Sequence, residues 1–227
     1  MNQISILDRP VMTAREAARQ LRIPPSTVVQ WLEGAARQGK WYAPVLREDP
    51  TGSTDMTWGE VVEARYLRAY RQQNVSMQQL RPFIREMRQE FGIPYPLAHV
   101  KPFVGEGRRL LVEVQERTHV PDHFRVVYEA KTGQLVLDPR AASFLERVDF
   151  AERGVREAIR IHPAGRESPV IMSPSLASAA TTVRGIRTEV LAELHDAGES
   201  AESIAEDFNL SVDTVKAAIA WEWSRTA

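Results

Sequence analysis

Residues 22–32 read RIPPSTVVQWL, and residues 209–219, near the other end of the chain, read NLSVDTVKAAI. Placed one over the other, they share an Ile/Leu position, a capping pair and an x-Thr-Val run. Each has the pattern of the turn and second helix of a helix-turn-helix. What separates them is the outward face. In the first stretch Val28, Trp31 and Leu32 fall on one side of a helix that begins at Pro25, where a missing N–H costs nothing. Ser26, Gln30, Glu33 and Arg37 then point the other way, with Thr27 beside them. In the second stretch Asp213 replaces Ser26 and Ala217 replaces Gln30, leaving Thr214 as the shared polar residue.

The surroundings of the first stretch extend the pattern. Thr13-Ala-Arg-Glu16 has the form of a capping box, and Ala14, Ala17, Ala18 and Leu21 give a narrow stripe of small apolar residues against which a second helix can pack closely. Residues 40–57, KWYAPVLREDPTGSTDMT, read as a short hairpin turning at Pro-Thr-Gly-Ser, the expected place of a wing. Thr57-Trp-Gly-Glu60 and Ser76-Met-Gln-Gln79 are two further capping boxes. The first opens a helix with Trp58, Val62, Tyr66 and Tyr70 on one side. The second opens a helix with Met77, Leu80, Ile84, Met87 and Phe91 at alternating spacings of three and four, and Pro82 is expected to kink it.

The pattern changes from Gly92 to about Glu167. A proline-rich connector, GIPYPLAHVKP, leads to three strand-like runs, RRLLVEVQ, HFRVVYEA and GQLVLD, the last two forming a hairpin across Lys131-Thr132-Gly133. RAASFLERVDF reads as a helix after Pro139 and REAIRIH as another strand. In the C-terminal part Thr188 is expected to cap a helix with Val190, Leu191 and Leu194, ended by Gly198. A second helix contains Ile204, Ala205 and Phe208, and Ser211 caps a third with Val215, Ala218 and Ile219 inward. The fold class expected is therefore α+β and mainly helical. A winged helix-turn-helix with its following helices occupies 1–91, a small α+β unit 92–167, and a three-helix, helix-turn-helix-like module 168–227.

Charge distinguishes the ends. Residues 1–91 carry 13 Lys and Arg against 10 Asp and Glu, residues 92–185 carry 13 against 11, and residues 186–227 carry 3 against 9. Non-specific affinity for duplex DNA comes mostly from cations displacing counterions, so the head suits DNA and the tail suits protein. The recognition helix needs short polar groups at its start and a donor–acceptor group one turn on. Ser26, Thr27 and Gln30 meet that need, with Arg15, Arg19, Arg37, Lys40 and Arg47 as phosphate contacts. On the acidic module, Ala217, Ala220 and Trp223 suggest a packing surface for a second copy or a protein partner. Trp221 and Trp223 have the alternative of serving as core.

Enzyme chemistry finds little to use. The absence of cysteine removes disulfides and thiolate chemistry, His119-Val-Pro-Asp-His123 is interrupted by a proline and lacks a third metal ligand, and Gly105-Glu-Gly107 lacks the spacing of a phosphate loop. No catalytic set, metal site or cofactor is expected. With no apolar run near membrane-spanning length and no leader-like start, the expected location is the cytoplasm without membrane contact.

Residues 183–219, VRGIRTEVLAELHDAGESAESIAEDFNLSVDTVKAAI, closely resemble a small bacterial helix-turn-helix domain, with Gly185, Arg187 and Thr188 at its entry. TWGEVVEARYLRAYR and the helix before FGIPYPLAH resemble the MerR type of winged module. Together the two are similar to VapB-type antitoxins of type II toxin–antitoxin systems, and the similarity spans most of the chain. The resemblance implies a homodimer that silences a PIN-like ribonuclease toxin and represses their shared promoter by binding double-stranded operator DNA. Arg187, Val190, Leu194, Ala217, Ala220, Trp221 and Trp223 are the residues expected at the dimer or toxin interface. Two other readings stay open, a ligand-sensing MerR-like regulator outside any toxin–antitoxin pair and an interaction protein that does not touch DNA.

Overall fold

The computed structural model describes residues 5–72, 74–103, 106–120, 125, 127–129, 135–137, 147–151, 156–176 and 179–226. The protein is mixed α and β, mainly helical, and its described strands pair into small two-stranded antiparallel sheets. The chain divides into two compact units, Met1–Leu145 with Phe150–Ala158, and Glu146–Asp149 with Ile159–Ala227.

In the first unit, β1 (Pro10–Thr13) leads into α1 (Ala14–Leu21), which buries Ala14, Ala17, Ala18 and Leu21. Both halves of the Thr13–Glu16 capping box are formed. Arg22 takes a left-handed conformation, φ 49°, and the N–H of Ile23 reaches back to the Ala18 carbonyl at 3.2 Å. The chain then enters α2 (Pro25–Glu33), whose inward residues are Val28, Trp31 and Leu32. Two further capping boxes open α3 (Trp58–Gln72) and α4 (Met77–Phe91). Helix α4 runs through Pro82.

Helix α3 is the centre of this unit and is buried on several sides, Glu60 and Glu63 included. Its opening Thr-Trp-Gly-Glu is used residue by residue. Thr57 bonds the hydroxyl of Tyr95 at 3.1 Å, and the Trp58 indole N–H donates to the Ala158 carbonyl at 2.6 Å. A Cβ on Gly59 would stand 2.5 Å from the Tyr95 ring. Glu60 takes Arg47.

Three expectations are corrected here. The hairpin is not over 40–57. It joins β2 (Ala35–Arg37) to β3 (Lys40–Tyr42) around Gln38 and Gly39, both at positive φ as a tight two-residue turn requires, while β4 (Asp55–Thr57) pairs with β1. RRLLVEVQ is not a strand but part of α5 (Glu106–Arg117), with Gly107, Leu111, Val114 and Gln115 inward at helical spacing. The end of RAASFLERVDF is strand β7 (Val148–Phe150). Residues 140–146 of that segment, the 131–133 turn and His123 lie outside the described residues, but β5 (Val127–Glu129) and β6 (Leu135–Leu137) pair as the expected antiparallel neighbours. REAIRIH supplies β8 (Ala158–Ile161), which pairs with β7.

In the second unit β9 (Thr182–Val183) and β10 (Ile186–Arg187) turn through Arg184 and Gly185, again both at positive φ. Three helices follow, α6 (Thr188–Asp196), α7 (Ala201–Asp207) and α8 (Val212–Thr226). Val170, Val183, Leu191, Ile204, Val215 and Ile219 form the middle of their core. Thr188 is not the cap of α6 but its first residue. The buried Thr181 hydroxyl bonds that of Thr188 at 2.7 Å, and Thr188 donates to Glu222 at 2.5 Å, tying the start of α6 to the end of α8. Ser211 caps α8 through the Thr214 N–H. The turn before it repeats the first: Asn209 is left-handed, φ 51°, and the Leu210 N–H reaches the Ala205 carbonyl at 2.8 Å.

Candidate nucleic-acid interface

The outward side of α2 is bordered by two adjoining clefts. One, of about 390 Å³, is lined by Thr27, Gln30, Arg37, Tyr42, Arg71 and Arg81 among others. The other, of about 240 Å³, is lined by Arg22, Thr27, Trp31, Arg68 and Arg71 with their neighbours. Five arginines from four sources thus meet around Thr27 and Gln30: the turn after α1, strand β2, and helices α3 and α4. No acidic side chain lines either cleft among the described residues. Like charge is felt inside the group. Burial and then Arg22 lower the pKa of Arg68, and burial and then Arg37 lower that of Arg81. Such a surface lowers its own energy by taking up anions.

Within that frame Ser26 is exposed at the start of α2, and Thr27 and Gln30 are half-buried. The Gln30 amide oxygen accepts a hydrogen bond from Arg37, so the hairpin holds the side chain that faces out of α2. Arg15, Arg19 and Lys40 are exposed but line neither cleft, and the Lys40 ammonium sits 5.5 Å from the centre of the Tyr42 ring.

Arg47 is placed differently from expectation. Its side chain is 8% exposed, and its guanidinium meets Glu33, Glu60 and the carbonyls of Ser53 and Asp55. Burial opposes its charge, but Glu60 and Glu33 outweigh that and raise its pKa. The residue is an internal fastening, with no donor turned to a phosphate. Glu33 completes it by accepting the N–H groups of Thr51 and Gly52.

Sequence reasoning does not single out Arg68, Arg71 and Arg81, whose helices α3 and α4 read as supports, nor Arg22, which reads as part of the turn after α1. The available signal was the Arg68/Arg71 spacing of three, on a helix whose Tyr66, Leu67 and Tyr70 already face the core.

In the second unit Arg187, Val190, Ala220 and Trp223 are exposed and Ala217 is half-buried, while Leu194 and Trp221 are half-buried and pack against the core. Trp223 is 49% exposed. Its indole N–H donates to Asp196 at 3.2 Å, and its ring lies 5.5 Å from that of His195. The counterpart of Gln30 is thus a small apolar residue on an acidic unit, and Lys216 is paired with Glu202 at 3.6 Å.

Among the described residues no group of histidines and acids is arranged to hold a metal ion, and no helix is long and apolar enough to cross a membrane.

The architecture is that of a mainly helical α+β protein with small antiparallel sheets. No family model matches the chain. It is 33% identical over 225 residues to uncharacterized protein Rv2308 of Mycobacterium tuberculosis, covering 96% of this chain and 92% of that protein, and it belongs to the same family. It is also 27% identical over 228 residues to the protein named "Putative antitoxin VapB45" of the same organism, covering 93% of each. The crystal structure of Rv2018 from Mycobacterium tuberculosis has the same fold, with a TM-score of 0.70 at 23% identity over 95% of this chain and all of that one.

Proposed function

We propose that this chain is an antitoxin-like regulator that binds its own promoter DNA through the first unit and a ribonuclease toxin, of the PIN-like class, through the second. The observation that carries the DNA reading is the convergence of Arg22, Arg37, Arg68, Arg71 and Arg81 on Thr27 and Gln30. In this reading α1 and α2 are a helix-turn-helix and β2–β3 its wing. Helix α2 enters the major groove, Gln30 reads a base edge, and the flanking arginines contact phosphates and set register. Arg47 is left out of the contacts. The toxin reading rests on the similarity to the protein named as an antitoxin and on the acidic second unit, where Val190, Ala220 and Trp223 offer an exposed face for a partner or a second copy. The proposed role is one of binding in the cytoplasm, without catalysis or cofactor.

The test is a titration of the full chain with its upstream DNA and with random duplex at several salt concentrations. Gln30→Ala should weaken the specific site by about 1–3 kcal/mol and leave random DNA unchanged. Arg71→Ala should weaken both alike and reduce the salt slope by about one unit. Equal losses for both variants on both DNAs would remove the assigned roles. Co-expression with the adjacent gene tests the other half: rescue from growth arrest with co-purification supports it, and arrest without rescue rejects it.

A further inference from the structure

A third cleft, of about 720 Å³, lies on the other side of the hairpin, between β3 with the residues after it, helix α4 and the segment 92–94. It is a separate cleft from the two assigned to DNA above and shares Tyr42 and Arg81 with one of them. Its floor is held by Arg88, which donates to the carbonyls of Val45 at 2.9 Å and Pro94 at 2.8 Å and pairs with buried Glu63 at 3.0 Å. The two rims are therefore fixed before anything binds.

Two features of the lining point to a ligand. Trp41 is 57% exposed although it is large and apolar. Its six-membered ring lies against Gly34, where a Cβ would stand 2.7 Å from Cζ2. The rest of the indole is a platform for a flat ring, and Pro44, Pro82 and Pro94 continue the apolar wall. Opposite it, α4 contributes Arg81 and the exposed Arg85. Arg81 has its Nε and Nη1 shielded from solvent without a hydrogen-bond partner. Its charge is further strained by Arg37, as its lowered pKa reflects. A shielded, uncompensated cation calls for an anion close by. Glu48 on the rim supplies an acceptor that a sugar hydroxyl or exocyclic amine can use.

We infer that this cleft binds a free nucleotide, its base stacked on Trp41 and its phosphate facing Arg81 and Arg85. A DNA backbone fits the lining less well: its bases are stacked inside the duplex and cannot reach the indole, and phosphates alone need no apolar wall. The size lies within the range of small-molecule sites. Because Arg81 and Tyr42 also line the cleft beside Gln30, a bound nucleotide places negative charge next to the proposed DNA surface. On the DNA-binding reading, it therefore weakens DNA binding, and DNA weakens nucleotide binding by the same factor.

The experiment is calorimetric titration of the full chain, without DNA, with adenosine 5′-monophosphate, adenosine and inorganic phosphate. Adenosine 5′-monophosphate should bind at least about tenfold more tightly than either fragment, and Trp41→Leu and Arg85→Gln should each weaken it by about tenfold or more. Both positions are exposed, and unchanged melting of the variants would show that the fold is intact. No heat at millimolar nucleotide would overturn the inference. So would equal affinity for phosphate and nucleotide with no effect of Trp41→Leu, which marks a bare anion site. Loss of DNA binding in Arg85→Gln with no nucleotide binding would give the cleft to the DNA backbone instead. As the first titration contains no DNA, its outcome is independent of whether the chain binds a promoter.

Discussion

Arg47 meets two carboxylates, Glu33 at the end of α2 and Glu60 in the first turn of α3, and two loop carbonyls besides. Its neighbourhood in sequence, a basic residue within the expected wing 40–57, reads as a phosphate contact, since nothing in the local pattern tells that Glu33 and Glu60 both turn inward. The sequence places Glu33 on the outward side of α2, and by helical angle it is; the loop 51–53 then folds over it and encloses it. Removing the cation leaves two enclosed carboxylates without compensation, so Arg47→Met should lower unfolding free energy by about 3 kcal/mol or more. Denaturant unfolding measures this, and a loss below about 1 kcal/mol would return Arg47 to the list of surface cations. By contrast, the polar residues of the α2 face, Ser26, Thr27 and Gln30, were legible from angle alone.

At the scale of elements, what could be read was what local chemistry dictates. Three Thr/Ser-x-x-Glu/Gln boxes start three helices, and Pro25 opens a fourth. What escaped depended on long-range or concealed features. The inward face of α5 includes Gly107 and Gln115, neither of which a hydrophobic pattern would count, so the aliphatic residues left over resembled a strand. The β2–β3 hairpin turns at Gln38-Gly39, while the more conspicuous Pro-Thr-Gly-Ser lies in a loop closed by Glu33. Gly34 sets where that hairpin starts. Its φ of 78° with ψ near 180° is a backbone state that suits glycine, and a Cβ there would stand 2.6 Å from the Tyr42 carbonyl. Gly34→Ala should therefore cost about 2 kcal/mol or more in thermal or denaturant unfolding. It should also expose Trp41 further, which a red shift in fluorescence would register. An unchanged melting temperature would mean that the hairpin is not anchored at this residue.

Across the whole molecule, the two stretches that look alike in sequence are alike in backbone too. Arg22 and Asn209 take the same left-handed turn, and Ile23 and Leu210 make equivalent bonds back to Ala18 and Ala205. They diverge in what surrounds them, arginines at one and acids at the other, and only part of this was visible as local net charge. Stability has its own global signature in Glu63. Burial raises its pKa to about 7 against an ordinary 4.5, even though Arg88 and the Leu97 N–H favour the ionised form. Below pH 4.5 the folded and unfolded chains both hold this proton; between 4.5 and about 7 the folded chain keeps a proton that the unfolded chain has released. The stabilisation from this group is thus complete on the acid side and disappears as pH rises through that window. Glu63→Gln should flatten the fall in melting temperature between about pH 5 and about pH 7 relative to the parent chain. Parallel curves for the two proteins would refute this assignment.

The Arg88 contacts also have a mechanical consequence. One guanidinium grips Val45 in the segment beyond the hairpin, the segment following α4 and a carboxylate of the central helix at once. Tilting that segment against α4 would have to break these bonds together, so one side chain makes the three pieces resist separation jointly.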